Sequence, residues 1–163
     1  MPIRFEPDEV LHRKARPVSR VSQQVRSLLD DMLQTMRAAH GQGLAAPQVG
    51  VLRRVVVVEV SPHGVMELIN PEITIAGGAE VLGLEGCLSM PGLIAEVPRH
   101  ERVQVTALDR NGRRFWNDAE GELARCFQHE IDHLDGILMT DRAVRLFRMK
   151  EEESLEEIPV DSE

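Results

Sequence analysis

The sequence lacks a long hydrophobic run and an excess of positive charge. Its longest apolar block, Val55 to Val58, is far shorter than the roughly 20 residues that a membrane helix needs. The formal charge of the 163 residues is −8. Nonspecific binding to nucleic acid and docking on anionic lipid both require a basic face. We therefore expect a protein that binds neither a membrane nor a specific nucleic acid.

The sequence also has few cysteines and no targeting segment. Cys87 and Cys126 are the two cysteines, which are too few for a disulfide framework. The first ten residues contain Glu6, Asp8 and Glu9 and no apolar stretch, unlike a secretory signal or a transit peptide. These features predict a cytoplasmic protein in which a cysteine is packed, bound to metal or catalytic.

Apolar residues between Val25 and Met36 recur at helical spacing and predict a helix that begins after Ser22 and stops at Gly41. A second helix is expected from about Glu120 to Asp135, and a third from near Asp141. Strands are expected over 54–60, 68–70, 72–76, 101–109 and 113–116, with a break at Pro71, a turn at Gly77-Gly78 and a hairpin at Asn111-Gly112.

This order of elements predicts the α+β class, with mixed or antiparallel sheets around the second helix. An N-terminal helix and a C-terminal helix would complete the fold. We expect one catalytic domain over residues 1–147, followed over 148–163 by an acidic, frayed tail that contains Glu151 to Glu153.

The second predicted helix carries the segment Gln128-His129-Glu130-Ile131-Asp132-His133. Two histidines four residues apart lie one turn apart on the same helix face, so His129 and His133 can bind one metal ion. Glu130 follows the first of them and could act as a general base toward a water that the ion activates. The segment therefore predicts a metal centre on this helix.

Catalytic sites of this kind use three protein ligands and one open position. Cys87, in the glycine-flanked segment Glu85-Gly86-Cys87-Leu88-Ser89, would complete a Cys-His-His site. Two alternatives stay open. A zincin-type protease would need a downstream ligand, but no histidine follows His133. A structural zinc module would close the site with Cys126.

Three segments, over residues 41–48, 85–89 and 128–133, resemble the three signature motifs of peptide deformylases in order and spacing. The resemblance covers about residues 1–147. It implies a hydrolase that removes the N-formyl group from the N-terminal formyl-methionine of newly synthesised polypeptides. It also implies one divalent metal ion, Fe(II) in the native protein, often replaced by Zn or Ni. The ligand types alone admit Zn, Fe or Co.

The resemblance also implies roles for individual residues. Glu130 would be the general base and then the acid, while the Gln48 side chain and the Leu88 backbone N–H would stabilise the developing oxyanion. Gly43 and Gly86 could let the substrate backbone pair like an added strand, and Glu85 is expected to orient a neighbouring loop or ligand. The candidates for the methionine pocket are Leu88, Cys126, Phe127 and His129.

The C-terminal segment bears on a ribosomal partner. Some deformylases end in a basic helix that docks on the ribosome. Here Arg142, Arg145, Arg148 and Lys150 are followed by glutamates from Glu151, which oppose the helix dipole and repel phosphate. We therefore expect nascent formyl-Met polypeptides as substrates and transient proximity to the ribosome without a basic C-terminal anchor.

Overall fold

The computed structural model describes residues 1–150 and 154–160, and its main element is an antiparallel sheet packed against a buried helix. The helices are α1 (Gln23–Ala38), α2 (Gly121–Leu134) and the single turn α3 (Met139–Arg142), with 3-10 turns at Glu9–His12 and Ala46–Val49. The strands are β1 (Gly43–Ala45), β2 (Val55–Glu59), β3 (Val65–Gly86), β4 (Leu93–Leu108), β5 (Arg114–Glu120), β6 (Arg145–Met149) and β7 (Leu155–Ile158). Their order is β1-β2-β3-β4-β6-β7, with β5 on β4. The predicted α+β class is confirmed.

Helix α1 begins as its sequence predicts, but it ends at Ala38, before the expected stop at Gly41, and His40 takes the positive φ of 58° instead. The Ser22 hydroxyl accepts a hydrogen bond from the Val25 N–H at 3.4 Å, which satisfies one of the free donors of the first turn. Leu29, Met32 and Met36 are fully buried. They pack in one core cluster with Val55 and Val57 of β2, so α1 fixes the strand that lies next to β1.

Helix α2 lies in the largest core cluster. Phe127, Leu123 and Leu134 pack there against side chains of the sheet, and burial of one large apolar side chain contributes about 1.5–3 kcal/mol. Gly136 follows the helix with φ +71°, and a Cβ there would lie 2.7 Å from the His12 carbonyl carbon. A glycine is therefore required at the point where the chain leaves α2.

Strand β3 is longer than predicted. The break expected at Pro71 and the turn expected at Gly77-Gly78 are wrong, because β3 runs without interruption from Val65 to Gly86 and pairs with β4 from Ile69 onward. Register shifts occur instead between Ile69 and Glu72 and between Gly77 and Glu80. The first of these shifts accommodates Pro71, which has no N–H, and the second accommodates Gly78, whose φ is +72°. The long β3–β4 ribbon then delivers residues 85–87 to the end of α2.

The C-terminal segment differs from the prediction. The helix expected from near Asp141 is wrong, because α3 ends at Arg142 and strand β6 pairs with β4. Leu155–Ile158, within the predicted frayed tail, forms β7 and pairs with β6. Glu151 to Glu153 and residues 161–163 lie outside the described residues. The division of the chain after residue 147 stays a prediction.

Within the ranges described above, no helix has the length and the apolar character that crossing a membrane requires.

Candidate metal centre

The two histidines of α2 and the cysteine that follows β3 meet at one point. One ligand atom from each of Cys87, His129 and His133 lies within 4.8 Å of the others. Cys87 Sγ is 3.4 Å from His133 Nε2, and the two imidazole rings are 5.0 Å apart between centroids. Helical spacing explains the histidine pair, whereas Cys87 arrives from 42 residues upstream on the ribbon.

The donor set fits a transition-metal ion. A thiolate and two neutral imidazoles are typical ligands for Zn, Fe or Co, and three of them leave a position open. Both histidines are buried. Cys126 does not belong to the group found among the described residues; its Sγ lies 3.8 Å from the Gln42 carbonyl oxygen. The closed four-ligand site of a structural zinc module is therefore not formed.

The surroundings of the two histidines shift their pKa values in opposite directions. Burial opposes a charge on His129, but hydrogen bonds to Cys87 and Glu85 and the charge of Glu130 outweigh it and raise the pKa of His129 to about 10. Burial and the charge of His129 lower the pKa of His133 well below its usual value. A metal ion held by His129 and His133 would take the place of the His129 proton.

Glu85 orients the first histidine. Its Oε1 lies 2.8 Å from His129 Nδ1, so the Nε2 atom of that ring is left for a metal. Arg99 donates to both oxygens of Glu85, at 2.9 and 3.0 Å, and to Asp132 at 2.6 Å. Burial alone would raise the pKa of Glu85, but the hydrogen bonds from Arg99 and His129 lower it to about 2. Glu85 is thus a fixed anion beneath the site.

Glu130 is buried next to the three ligand residues. Its Oε2 is 4.0 Å from His129 Nε2, and within the described ranges its Oε1 has no hydrogen-bond partner. Burial raises the pKa of Glu130 to about 7. A carboxylate with a pKa near neutrality is suited to accept a proton and return it.

Gln48 approaches the same point from the Ala46–Val49 turn. Its Oε1 accepts from the Ala45 N–H at 2.9 Å, which fixes the orientation of the amide. Its Nε2 donates to Ser89 Oγ at 3.1 Å and lies 3.6 Å from Cys87 Sγ. The side chain is almost fully buried. A donor is therefore held beside the ligand residues.

Cys87 and His129 line a cleft of about 440 Å³. His133 is buried and is not one of its lining residues, although its Nε2 lies 3.4 Å from Cys87 Sγ. The cleft is lined by most of the residues named from the sequence: Gly43, Gln48, Glu85, Gly86, Cys87, Leu88, Cys126, His129 and Glu130. Phe127 is also absent from the lining. It is fully buried in the core because the next position on a helix points about 100° away from Cys126. Its expected place in the methionine pocket is wrong.

Sequence reasoning also missed several residues of the cleft. Gln42 donates to Glu122 at 3.0 Å, and both line the cleft with Arg125 and Met149. Arg125 precedes His129 by four residues, so helical spacing could have identified it. Met149 could not be identified in this way, because it reaches the cleft only through the unexpected strand β6.

Comparisons with known proteins agree with this geometry. The family model for "Polypeptide deformylase" matches residues 1–149. A peptide deformylase of Symbiobacterium thermophilum is 56% identical over 154 residues, which cover 93% of this chain and 70% of that protein. One from Thermodesulfovibrio yellowstonii is 51% identical over 150 residues, or 90% of each chain.

Solved structures give the same result. The peptide deformylase of Synechococcus elongatus, in complex with actinonin, superposes with a TM-score of 0.85 at 44% identity. The aligned region covers 88% of this chain and 78% of the Synechococcus elongatus chain. The peptide deformylase of Thermus thermophilus gives a TM-score of 0.82 at 51% identity and covers 86% and 84%.

Proposed function

The chain belongs to the peptide deformylase family, and we propose that Cys87, His129 and His133 hold the metal ion on which its activity depends. The enzyme removes the N-formyl group from nascent polypeptides. The observation that carries the proposal is the convergence of the three ligand atoms within 4.8 Å, two of them from residues that line a cleft, Cys87 and His129. A divalent ion bound there would act as a Lewis acid and make water a better nucleophile at neutral pH.

Glu130 is the proposed general base and acid. Water attacks the formyl carbon, Glu130 accepts the proton of that water, and the C–N bond breaks as Glu130 passes the proton to the leaving amine. Formate and a free N-terminal methionine result. The pKa of about 7 that burial gives Glu130 suits both transfers, and Glu130 is available because its Oε1 has no partner among the described residues.

Gln48 and Leu88 are the proposed oxyanion donors. The Gln48 amide is held with its Nε2 toward the ligand residues, since Oε1 is occupied by the Ala45 N–H. In the described part of the chain, no backbone acceptor is found for the Leu88 N–H. One such donor contributes about 3 kcal/mol to transition-state stabilisation in comparable sites.

The rest of the cleft would bind the start of the polypeptide. We assign the methionine side chain to the wall formed by Leu88, Cys126 and His129. The substrate backbone would pair like an added strand beside Gly86 and Gly43. Glu85 acts indirectly, by orienting His129.

For the metal, Fe(II) is the proposed native ion, and Zn, Ni or Co would also suit the ligand set. We propose that the enzyme works in the cytoplasm with transient proximity to the ribosome and without a basic C-terminal anchor. Among the basic residues considered for such an anchor, Arg142 pairs with Asp132 and Arg145 with Glu157. The positive charges of Arg142 and Arg145 are therefore already paired with carboxylates of the same chain.

The test compares Cys87→Ala with Cys126→Ala. Each variant removes one thiol from the cleft, but only Cys87 is a proposed ligand. We expect Cys87→Ala to lose bound metal and formate release from formyl-Met-Ala, and Cys126→Ala to keep one metal per chain. Equal metal content in the two variants would contradict the proposed ligand set.

A further inference from the structure

Arg125 joins the wall of the cleft to the residue that orients His129. It lies on α2 four residues before His129, so both side chains leave the same helix face. Its Nη1 donates to Glu85 Oε2 at 2.7 Å and to the Val97 carbonyl at 2.8 Å. Its Nη2 donates to the Val81 carbonyl at 2.8 Å. One guanidinium thus contacts β3, β4 and Glu85.

The carboxylate of Glu85 is fully occupied by these contacts. Oε2 accepts from Arg99 at 2.9 Å and from Arg125 at 2.7 Å. Oε1 accepts from Arg99 at 3.0 Å and lies 2.8 Å from His129 Nδ1. A carboxylate offers about four acceptor positions, so the four donors leave it no freedom to rotate. Loss of Arg125 would free one side of Oε2.

Gly83 provides the space in which the guanidinium lies. A Cβ at position 83 would stand 2.6 Å from Arg125 Cζ and 2.7 Å from its Nε. The backbone of Gly83 is not in the left-handed region, and the residue pairs with Val97 inside the ribbon. Conformation therefore does not require glycine here, whereas the approach of Arg125 does.

We propose that Arg125 is a positioning residue for the metal ligand His129 and acts through Glu85. The absence of a side chain at Gly83 leaves room for the Arg125 guanidinium. The inference rests on the proposed function, in which His129 binds the ion. Arg99 holds Glu85 from the interior, where it is itself buried. Arg125 contacts Glu85 from the side of the cleft. Its guanidinium therefore connects the β3–β4 ribbon to Glu85, which in turn orients His129.

The first experiment is a double-mutant cycle between Arg125→Gln and Glu85→Gln. The dissociation constant of Co(II) from the purified chain and the visible absorption spectrum of the saturated Co(II) form are measured for each variant. Arg125→Gln should weaken Co(II) binding about 10-fold and shift the spectrum, as loss of a residue that orients a ligand does. In the Glu85→Gln background it should add little, because both changes break the same chain of contacts.

The second experiment leaves α2 untouched. Gly83→Ala should weaken Co(II) binding and shift the spectrum as Arg125→Gln does, because the new Cβ displaces the guanidinium. Gly77→Ala is the matched control on the same strand, since a Cβ there meets nothing within 4 Å. Arg102→Gln is the control for the loss of a positive charge from the ribbon.

The outcomes separate this inference from the proposed function. Unchanged Co(II) affinity and spectrum in Arg125→Gln and Gly83→Ala would overturn the positioning role, even if the wild-type chain binds one Co(II). The role would also be overturned if the fold-changes in Co(II) dissociation constant caused by Arg125→Gln and Glu85→Gln multiplied in the double variant, because Arg125 would then act independently of Glu85. Failure of the wild-type chain to bind Co(II) would instead overturn the metal site and, with it, the inference.

Discussion

The backbone of Gly43 lies against the carboxylate of Glu130. A Cβ at position 43 would stand 2.6 Å from Glu130 Oε2 and 3.0 Å from Cys126 Sγ, closer than side-chain atoms normally approach. Gly43 is in β1 and pairs with Val58 of β2, so the backbone cannot easily move away. The position of the proposed general base therefore depends on the absence of a side chain on the neighbouring strand.

Gly43→Ala should displace Glu130 without removing the metal ligands. We expect formate release to fall about 100-fold, the size of effect that a displacement of about 1 Å produces in a catalytic group, while metal content stays at one ion per chain. Gly77→Ala, where a Cβ meets nothing within 4 Å, is the matched control and should keep wild-type activity. Full activity of Gly43→Ala would show that catalysis does not depend on the position of the Glu130 carboxylate against the backbone of Gly43.

Glu130→Gln should separate metal binding from proton transfer. The amide keeps the size of the side chain but cannot accept the proton, so we expect kcat to fall by about 10²–10⁴-fold, with metal content unchanged. Steady-state assays with formyl-Met-Ala and metal analysis of the same sample would measure both. Glu72→Gln, an exposed residue on β3, is the control. Hydrolysis by Glu130→Gln near the wild-type rate would refute the assignment.

The sequence predicted the convergence of Cys87, His129 and His133 better than it predicted the residues around them. His129 and His133 were identified because four-residue spacing on a helix is a local pattern. The contact of Arg125 with Glu85 spans 40 residues and depends on how the ribbon folds over α2, which no local pattern contains. For the same reason the helix predicted from near Asp141 is wrong, because pairing with β4 makes the segment around Arg145 a strand.

Acid should weaken the fold through Glu85. Hydrogen bonds from Arg99 and His129 lower the pKa of Glu85 to about 2 from an ordinary value of 4.5, so the folded state favours the ionised form. This stabilisation is present above pH 4.5 and is lost as the pH falls from 4.5 toward 2. Urea unfolding of the metal-free chain across this range should show it. The free energy of unfolding should fall less steeply with decreasing pH in Glu85→Gln than in the wild-type chain. Equal slopes in the two proteins would contradict the role of Glu85.

Oxygen should inactivate the Fe(II) form faster than the Ni(II) form. Fe(II) is readily oxidised in air, and the Cys87 thiolate that we propose as its ligand is open to oxidation to sulfenic and higher acids. We expect the Fe(II) form to lose formate release in air or peroxide while the Ni(II) form of the same preparation keeps it. Mass spectrometry of the peptide containing Cys87 would locate added oxygen. Equal half-lives of the two forms would argue against Fe(II) as the native ion.

Removal of the chain after Lys150 should leave the chemistry intact. Every proposed site residue lies between Gly43 and His133, and β6, which brings Met149 to the cleft, is kept. The truncation removes β7 and with it the ion pair between Arg145 and Glu157, whose side chains are 51% and 53% exposed. Exposed pairs contribute only about 0–1 kcal/mol. Activity on short formyl-Met peptides should equal that of the full chain, while loss of the β6–β7 pairing and of the packing of Ile158 against the core lowers thermal stability.

The same truncation tests the expected absence of a C-terminal ribosome anchor. It removes seven acidic residues and no basic one, so the formal charge changes from −8 to −1. Repulsion from RNA phosphate then weakens, and Arg145 no longer has Glu157 as its partner. Sedimentation with ribosomes at fixed salt should show binding equal to or stronger than that of the full chain. A marked loss of binding would mean that the acidic segment makes a specific contact with the ribosome, and the proposal of an anchor-free enzyme would fail.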